Sequence, residues 1–287
     1  MPDAALLCIG NLTIDDLVVG GETTTALGGD ALFAALAARR ELPDVRMLAP
    51  VGTDLPAPLL QSVADAGIRV ERARPRTGRT VRNRVTYADD GTRSWDLLDG
   101  EEAFDAMSVY PEDVTPEALT ATGVLVSAMS LASQLALGPW LRAATDATIY
   151  LDLQEDYVVG YEDELLALLA TCDIFLPSEI EAVRLAGTTD LDAAARVFLA
   201  HGPRVVVIKT AERGCLVATP DGSTHVPTEA VEPVDSTGAG DAFCGAFAAA
   251  HLRDGDPLAA ARAGATAARV AIGGHGVTAL LDEAVSR

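Results

Sequence analysis

Lysine is nearly absent from this chain of 287 residues; among 21 basic side chains only Lys209 is a lysine. A phosphate-binding P-loop needs G-x-x-x-x-G-K-[ST], and Lys209 follows the apolar run 205–208 with no glycine ahead of it, so that mechanism is excluded. Basic charge in general is scarce, and the formal net charge of −21 with an isoelectric point near 4.4 excludes nucleic acid and anionic membrane as partners, both of which attract proteins through Lys/Arg clusters. No apolar run approaches the ~20 residues of a membrane helix. The start, Met1-Pro2-Asp3, lacks the basic opening of a signal peptide, and a soluble cytoplasmic protein is expected. Cysteine is limited to Cys8, Cys172, Cys215 and Cys244, which form no C-x-x-C pair and read as small buried hydrophobes. His201, His225, His251 and His275 are isolated and make no metal-binding pattern.

What is present is a rhythm. Short apolar runs at 6–9, 47–51, 124–127, 149–153, 174–176 and 205–209 alternate with amphipathic stretches at 31–40, 59–66, 131–143, 164–170, 179–186, 191–199, 241–252 and 258–272. Glycine turns punctuate them, as expected for a mainly parallel sheet covered by helices on both faces. Two stretches, 12–27 and 79–98, break the pattern. They are rich in Thr, Val, Arg and aromatics, alternate through Val81-Arg82-Asn83-Arg84-Val85-Thr86-Tyr87, and carry a turn at Asp89-Asp90-Gly91. They are expected to pair as a small β lid over the carboxyl ends of the main strands, where open α/β sheets bind ligands. With no repeat or linker, the chain reads as one domain over 1–287.

The stretch Asp235-Ser236-Thr237-Gly238-Ala239-Gly240-Asp241 carries the chemistry. A β-prone run at 231–234 enters a glycine turn that opens a long small-residue helix. Glycines at 238 and 240 admit close backbone approach, and the first helical turn offers unpaired N–H groups with partial positive charge, a seat for phosphate. Asp241 in that turn is placed to accept the proton of an attacking hydroxyl, although aspartate also serves simply as a helix cap. A dinucleotide fingerprint is disfavoured, because Phe243 stands where its third glycine belongs.

This heptapeptide resembles the C-terminal signature of the ribokinase-like (PfkB) carbohydrate kinase family. The likeness extends through Gly10 and Asp15, Gly28-Gly29, Val51-Gly52-Thr53-Asp54, Pro177-Ser178-Glu179-Ile180-Glu181 and Glu212-Arg213-Gly214. The resemblance implies a three-layer α/β/α sandwich with a β lid and an ATP-dependent kinase using Mg²⁺. In it Asp241 is the base, and Gly238, Ala239 and Gly240 are the anion hole. It further implies that Asp15, Gly28, Gly29, Asp30 and position 33 bind the acceptor. Lys209, Thr210, Gly214, Thr237 and Gly240 fall on the nucleotide side. By the same resemblance Glu181 is expected to help hold Mg²⁺ through water, and Asp235 with Thr237 to hold K⁺.

Two residues depart from the family pattern. Phe33 replaces the asparagine of G-G-x-x-x-N, removing a donor and an acceptor, and it is either a core residue of its helix or a pocket wall. Ser178 replaces the asparagine of N-x-x-E. Lid residues Arg82, Arg84, Tyr87, Arg93 and Trp95 are expected to set acceptor choice, the arginines by binding a polar or anionic acceptor and an aromatic by stacking on a base. The acceptor is expected to be a sugar or cyclic polyol, or alternatively a nucleoside. A non-catalytic ligand-binding member of the fold is the reading from outside enzymes, and the resemblance admits a homodimer paired through the lid.

Overall fold

The computed structural model describes residues 4–87 and 93–285. The turn read at Asp89-Asp90-Gly91 lies outside the described residues, as do the side chains of Arg93 and Trp95. In chain order the strands are β1 (Ala5–Ile9), β2 (Thr13–Val19), β3 (Glu22–Gly28), β4 (Asp44–Leu48), β5 (Arg69–Glu71), β6 (Val81–Tyr87), β7 (Arg93–Leu97), β8 (Gly123–Val126), β9 (Thr148–Leu151), β10 (Ile174–Phe175), β11 (Val205–Lys209), β12 (Cys215–Thr219) and β13 (Gly222–Val226). The helices are α1 (Asp30–Ala38), α2 (Ala57–Asp65), α3 (Gly100–Ala106), α4 (Leu131–Ala144), α5 (Glu162–Leu168), α6 (Glu179–Ala186), α7 (Leu191–Ala200), α8 (Ala239–Asp254), α9 (Pro257–Ala271) and α10 (Thr278–Val285).

Nine strands form the main sheet in the order β13-β12-β11-β10-β9-β8-β1-β4-β5, parallel except where β12 and β13 turn back at one edge. Because side chains alternate across a strand, each buried strand feeds two cores at once. Leu6 and Cys8 join the core beneath α1, α8 and α9, while Ala5, Leu7 and Ile9 join the opposite core beneath α4, α5, α6 and α7. The chain leaves β1 for β4 on one side and returns as β8 on the other, which makes the β1/β8 gap the switch point where such sheets open a crevice. On one face α8 lies very close to α1: a Cβ on Gly245 would come within 2.0 Å of the Ala34 carbonyl oxygen. All four cysteines are buried and free. No helix among the described residues is long and apolar enough to cross a membrane.

The second sheet, ordered β3-β2-β6-β7, pairs the two stretches that interrupt the α/β rhythm, with β2 and β6 parallel and Asp15 opposite Asn83. Elsewhere the sequence reading needs correction. The run 231–234 is not a strand; Val231 and Val234 are 45% and 51% exposed, and the Val234 amide bonds the Ile272 carbonyl at 2.8 Å instead of a sheet neighbour. Helix α8 begins two residues before Asp241, at Ala239. The hairpin β12–β13 was not anticipated, because four of the five residues of β13 face solvent and carry no apolar run.

Candidate active site

The site is assembled at the carboxyl ends of the parallel strands. After β1 the chain turns at Gly10 and Asn11, and it enters α1 through Gly28 and Gly29. Gly29 has φ of 100°, and a Cβ there would lie 2.3 Å from the Asn11 carbonyl oxygen, so only glycine lets the two loops touch. Asp30 opens α1, and its Oδ1 accepts the Asn11 amide at 2.6 Å. Burial, with the charge of Asp241 adding to it, pushes the Asp30 carboxyl well up from its ordinary range. The opening turns of α1 and α8 therefore converge, each presenting a carboxyl group.

At the head of α8, Gly238 has φ of 71°, a left-handed conformation costly for any residue with a side chain. The ring of Phe33 occupies the space beside it, 2.4 Å from where a Cβ would sit. Phe33 is 2% exposed and belongs to the core beneath α1 and α8, yet its ring also forms part of the cavity wall. The two readings of that residue merge: it is a core side chain that supports the glycine turn.

Behind this turn lies a buried charge cluster. Lys209, the last residue of β11, places Nζ 2.9 Å from both Asp152 carboxylate oxygens, 3.3 Å from Cys244 Sγ and 3.7 Å from where a Cβ on Gly240 would sit. Asp152 follows β9 directly and is 4% exposed. The Lys209 ammonium is desolvated, which alone would weaken it, but Asp152 and then Cys244 and Glu181 outweigh that and keep it firmly protonated. Glu181 sits in the first turn of α6, where Oε2 accepts the Ser178 amide at 2.7 Å while Ser178 Oγ accepts the Glu181 amide at 3.2 Å, a capping box. Burial and the neighbouring Asp152 raise the Glu181 carboxyl to about 7, Lys209 pulling the other way. Asp241 is raised to about 6 by burial and then by Asp152, again with Lys209 opposing.

In front of the turn is a cavity of about 150 Å³ that reaches from Asp241 and Gly238 to the four-stranded sheet. A volume of that order accepts one six-membered ring. Asp15 projects from β2 into it, its Oδ1 accepting Thr13 Oγ1 at 2.8 Å and Asn83 Nδ2 at 2.9 Å. Burial raises Asp15 to about 6 against those two bonds. Gly28 packs behind it, where a Cβ would lie 1.9 Å from Asp15 Oδ2.

The remaining expected residues lie around this centre. Asp235 is 3% exposed; its oxygens accept the Thr237 amide at 2.8 Å and the Gly276 amide at 3.0 Å, tying the loop before α8 to the loop after α9. Burial would raise its carboxyl, but hydrogen bonds from Tyr87, Gly276 and Thr237 prevail and hold it low. Thr237 lines the cavity. Thr210 and Gly214 close the β11–β12 turn, with the Thr210 amide on the Gly214 carbonyl at 2.8 Å and Thr210 Oγ1 buried without a hydrogen-bond partner.

The arginines of β6 do not reach the cavity. Val81, Asn83 and Val85 are buried, so the period-two alternation turns Arg82 and Arg84 to the opposite face, where Arg82 lies 3.6 Å from Asp54. Tyr87 packs edge-on against His275, its ring 5.0 Å away, and is not among the cavity-lining residues. Sequence reasoning passed over Asp152, Asn83, Asn11 and Thr13. A carboxylate interrupting the apolar run 149–153, at the carboxyl end of a parallel strand, is the signal that could have found Asp152.

Taken together, the mostly parallel sheet with its covering helices and second small sheet is the ribokinase-like α/β architecture. The family model described as pfkB family carbohydrate kinase matches residues 6–284. The chain belongs to that family, and it is an ATP-dependent kinase. It is 30% identical over 258 residues to the cytidine kinase of Thermococcus kodakarensis, covering 88% of this chain and 90% of that one. It is 28% identical over 275 residues to the ribokinase of Staphylococcus aureus, covering 89% and 86%. The crystal structure of adenosine kinase from Sinorhizobium meliloti superposes with a TM-score of 0.81 at 21% identity, covering 99% of both chains.

Proposed function

We propose that this kinase transfers the γ-phosphoryl group of ATP to a hydroxyl of a small sugar or cyclic polyol, with Asp241 as general base. The observation that carries the reading is the position of Asp241, in the first turn of α8 and on the wall of the cavity, beside the Gly238 turn. The acceptor hydroxyl meets Asp241 while the γ-phosphoryl rests on the amides opening α8 at Gly238, Ala239 and Gly240. The hydroxyl proton passes to the Asp241 carboxylate, the hydroxyl oxygen bonds to phosphorus, and the bond to the ADP oxygen breaks. Asp15, Gly28, Gly29 and Asp30 shape the acceptor end, and the four-stranded sheet acts as its lid within a single domain. Thr210, Gly214 and Thr237 lie on the nucleotide side, where Lys209 balances the charge of Asp152.

Burial and then the charge of Asp152 raise Glu181, and a hard divalent cation beside it would relieve the second of these, although both Asp152 oxygens are engaged by Lys209 and no group of three His, Cys, Asp or Glu side chains among the described residues is placed to hold a metal directly. Glu181 would hold Mg²⁺ through water, and the ion would neutralise phosphate charge when bound with the nucleotide. Asp235, held low by hydrogen bonds from Tyr87, Gly276 and Thr237, would with Thr237 hold a K⁺ ion near the amides opening α8.

A nucleoside acceptor is the second reading, favoured by the aromatic residues Phe104 and Tyr157 among those lining the cavity, since aromatic side chains suit a planar base. The test is ADP release from MgATP with a panel of sugars, inositols and nucleosides. Turnover with a member of the panel is the expected result, and its chemical type separates the two readings. Saturable binding with no ADP release from any of them would leave the non-catalytic alternative and contradict the proposal.

A further inference from the structure

Asn11 and Asn83 are 2% and 6% exposed, both line the cavity, and neither has a partner for its side-chain oxygen. Their orientations are fixed from behind. Asn11 Nδ2 donates to the Met107 carbonyl at 2.9 Å, and a carbonyl can only accept, so Oδ1 must occupy the other position. Asn83 Nδ2 donates at 2.9 Å to the Asp15 oxygen that also accepts Thr13 Oγ1, which turns Asn83 Oδ1 the other way. A buried amide oxygen without a hydrogen bond is costly, and two at one cavity call for a ligand that brings donors. The charge around them narrows the choice. Asp15, Asp30, Glu101, Asp156 and Asp241 all line the cavity, and no Arg, Lys or His among the described residues does.

We propose that Asn11 and Asn83 are specificity-determining residues whose side-chain oxygens accept hydrogen bonds from the hydroxyls of an uncharged acceptor, in a pocket whose carboxylates exclude any acceptor already bearing a phosphate or carboxylate. The proposal rests on the kinase reading above and names the substrate class within it: an uncharged polyol, free sugar or nucleoside. Its place in a reaction sequence is the first phosphorylation of such a molecule, and the anionic product is repelled by the pocket that made it.

The test uses D-ribose, D-fructose, myo-inositol and cytidine, the derivatives of each lacking one hydroxyl, and ribose 5-phosphate and cytidine 5′-monophosphate as anionic probes. Calorimetric binding and ADP release are measured for the unaltered protein, Asn83→Ala and Asn83→Ser, the serine variant keeping a shorter acceptor in case alanine disturbs folding. For at least one neutral probe, removal of one hydroxyl weakens binding about tenfold or more in the unaltered protein. That penalty disappears in Asn83→Ala and returns in part in Asn83→Ser, and both anionic probes fail to bind. The proposal is overturned if the deoxy penalty is the same in all three proteins, if an anionic probe binds as well as its neutral parent, or if no neutral probe binds. Binding with the expected penalties but without ADP release would sink the phosphotransfer reading and leave this one standing.

Discussion

Lys209 and Asp152 form a two-pronged ion pair, with the ammonium nitrogen 2.9 Å from each carboxylate oxygen and the two side chains only 13% and 6% exposed. The sole lysine of an acidic chain is thus committed to the interior. Removing one partner leaves a buried charge uncompensated, at a cost of about 3 kcal/mol or more. Lys209→Met and Asp152→Asn are each expected to lower the unfolding free energy by that order in denaturant titrations. The double variant Lys209→Met/Asp152→Asn is expected to recover a substantial part of the summed loss; simple additivity would show that the pair is not coupled.

The same cluster sets the pH dependence. Asp241 must be ionised to accept a proton, and burial with the charge of Asp152 raises it to about 6. An acidic limb in kcat/KM is expected near that pH, falling about tenfold per unit below it. Lys209→Met removes the opposing positive charge and moves the limb up, while Asp152→Asn moves it down. Asp15 also titrates at about 6, but Lys209 does not contribute to its shift, so a limb that ignores Lys209→Met would belong to Asp15 rather than Asp241.

Phe33 and Gly238 form a matched pair. Restoring asparagine with Phe33→Asn puts a polar amide into a site 2% exposed and removes the ring beneath the glycine turn, at a cost of about 3 kcal/mol or more. Gly238→Ala is expected to destabilise through both its φ of 71° and the clash with the ring. Thermal melts check both. A Phe33→Asn variant as stable as the parent would mean that the ring faces ligand rather than core.

The fold class was legible because its signal is repetitive. Buried parallel strands read as apolar runs, and glycine turns mark the breaks between elements. The Gly238–Asp241 turn was legible because glycine at φ of 71° is dictated locally. Asp152, Asn11 and Asn83 were not, because their roles come from contacts far along the chain: Asp152 with Lys209, Asn11 with Met107, and Asn83 with Asp15 across the β2–β6 pairing. The face presented by Arg82 and Arg84 depended on register, which a neighbouring strand fixes.

The account turns on Asp241 as base rather than cap, and the variant Asp241→Asn separates the two. Its folded value of about 6 lies above the ordinary 3.8, so the folded state holds the proton more tightly. The cost of the charge is fully present above pH 6, lost as pH falls between those values, and absent below 3.8. The most direct measurement is kcat of Asp241→Asn with the acceptor that the panel identifies, together with its melting temperature at pH 8. The account predicts a kcat lower by roughly 10²–10⁴-fold and a melting temperature a few degrees higher. A fully active variant, or an inactive one that melts lower as a lost cap would, contradicts it.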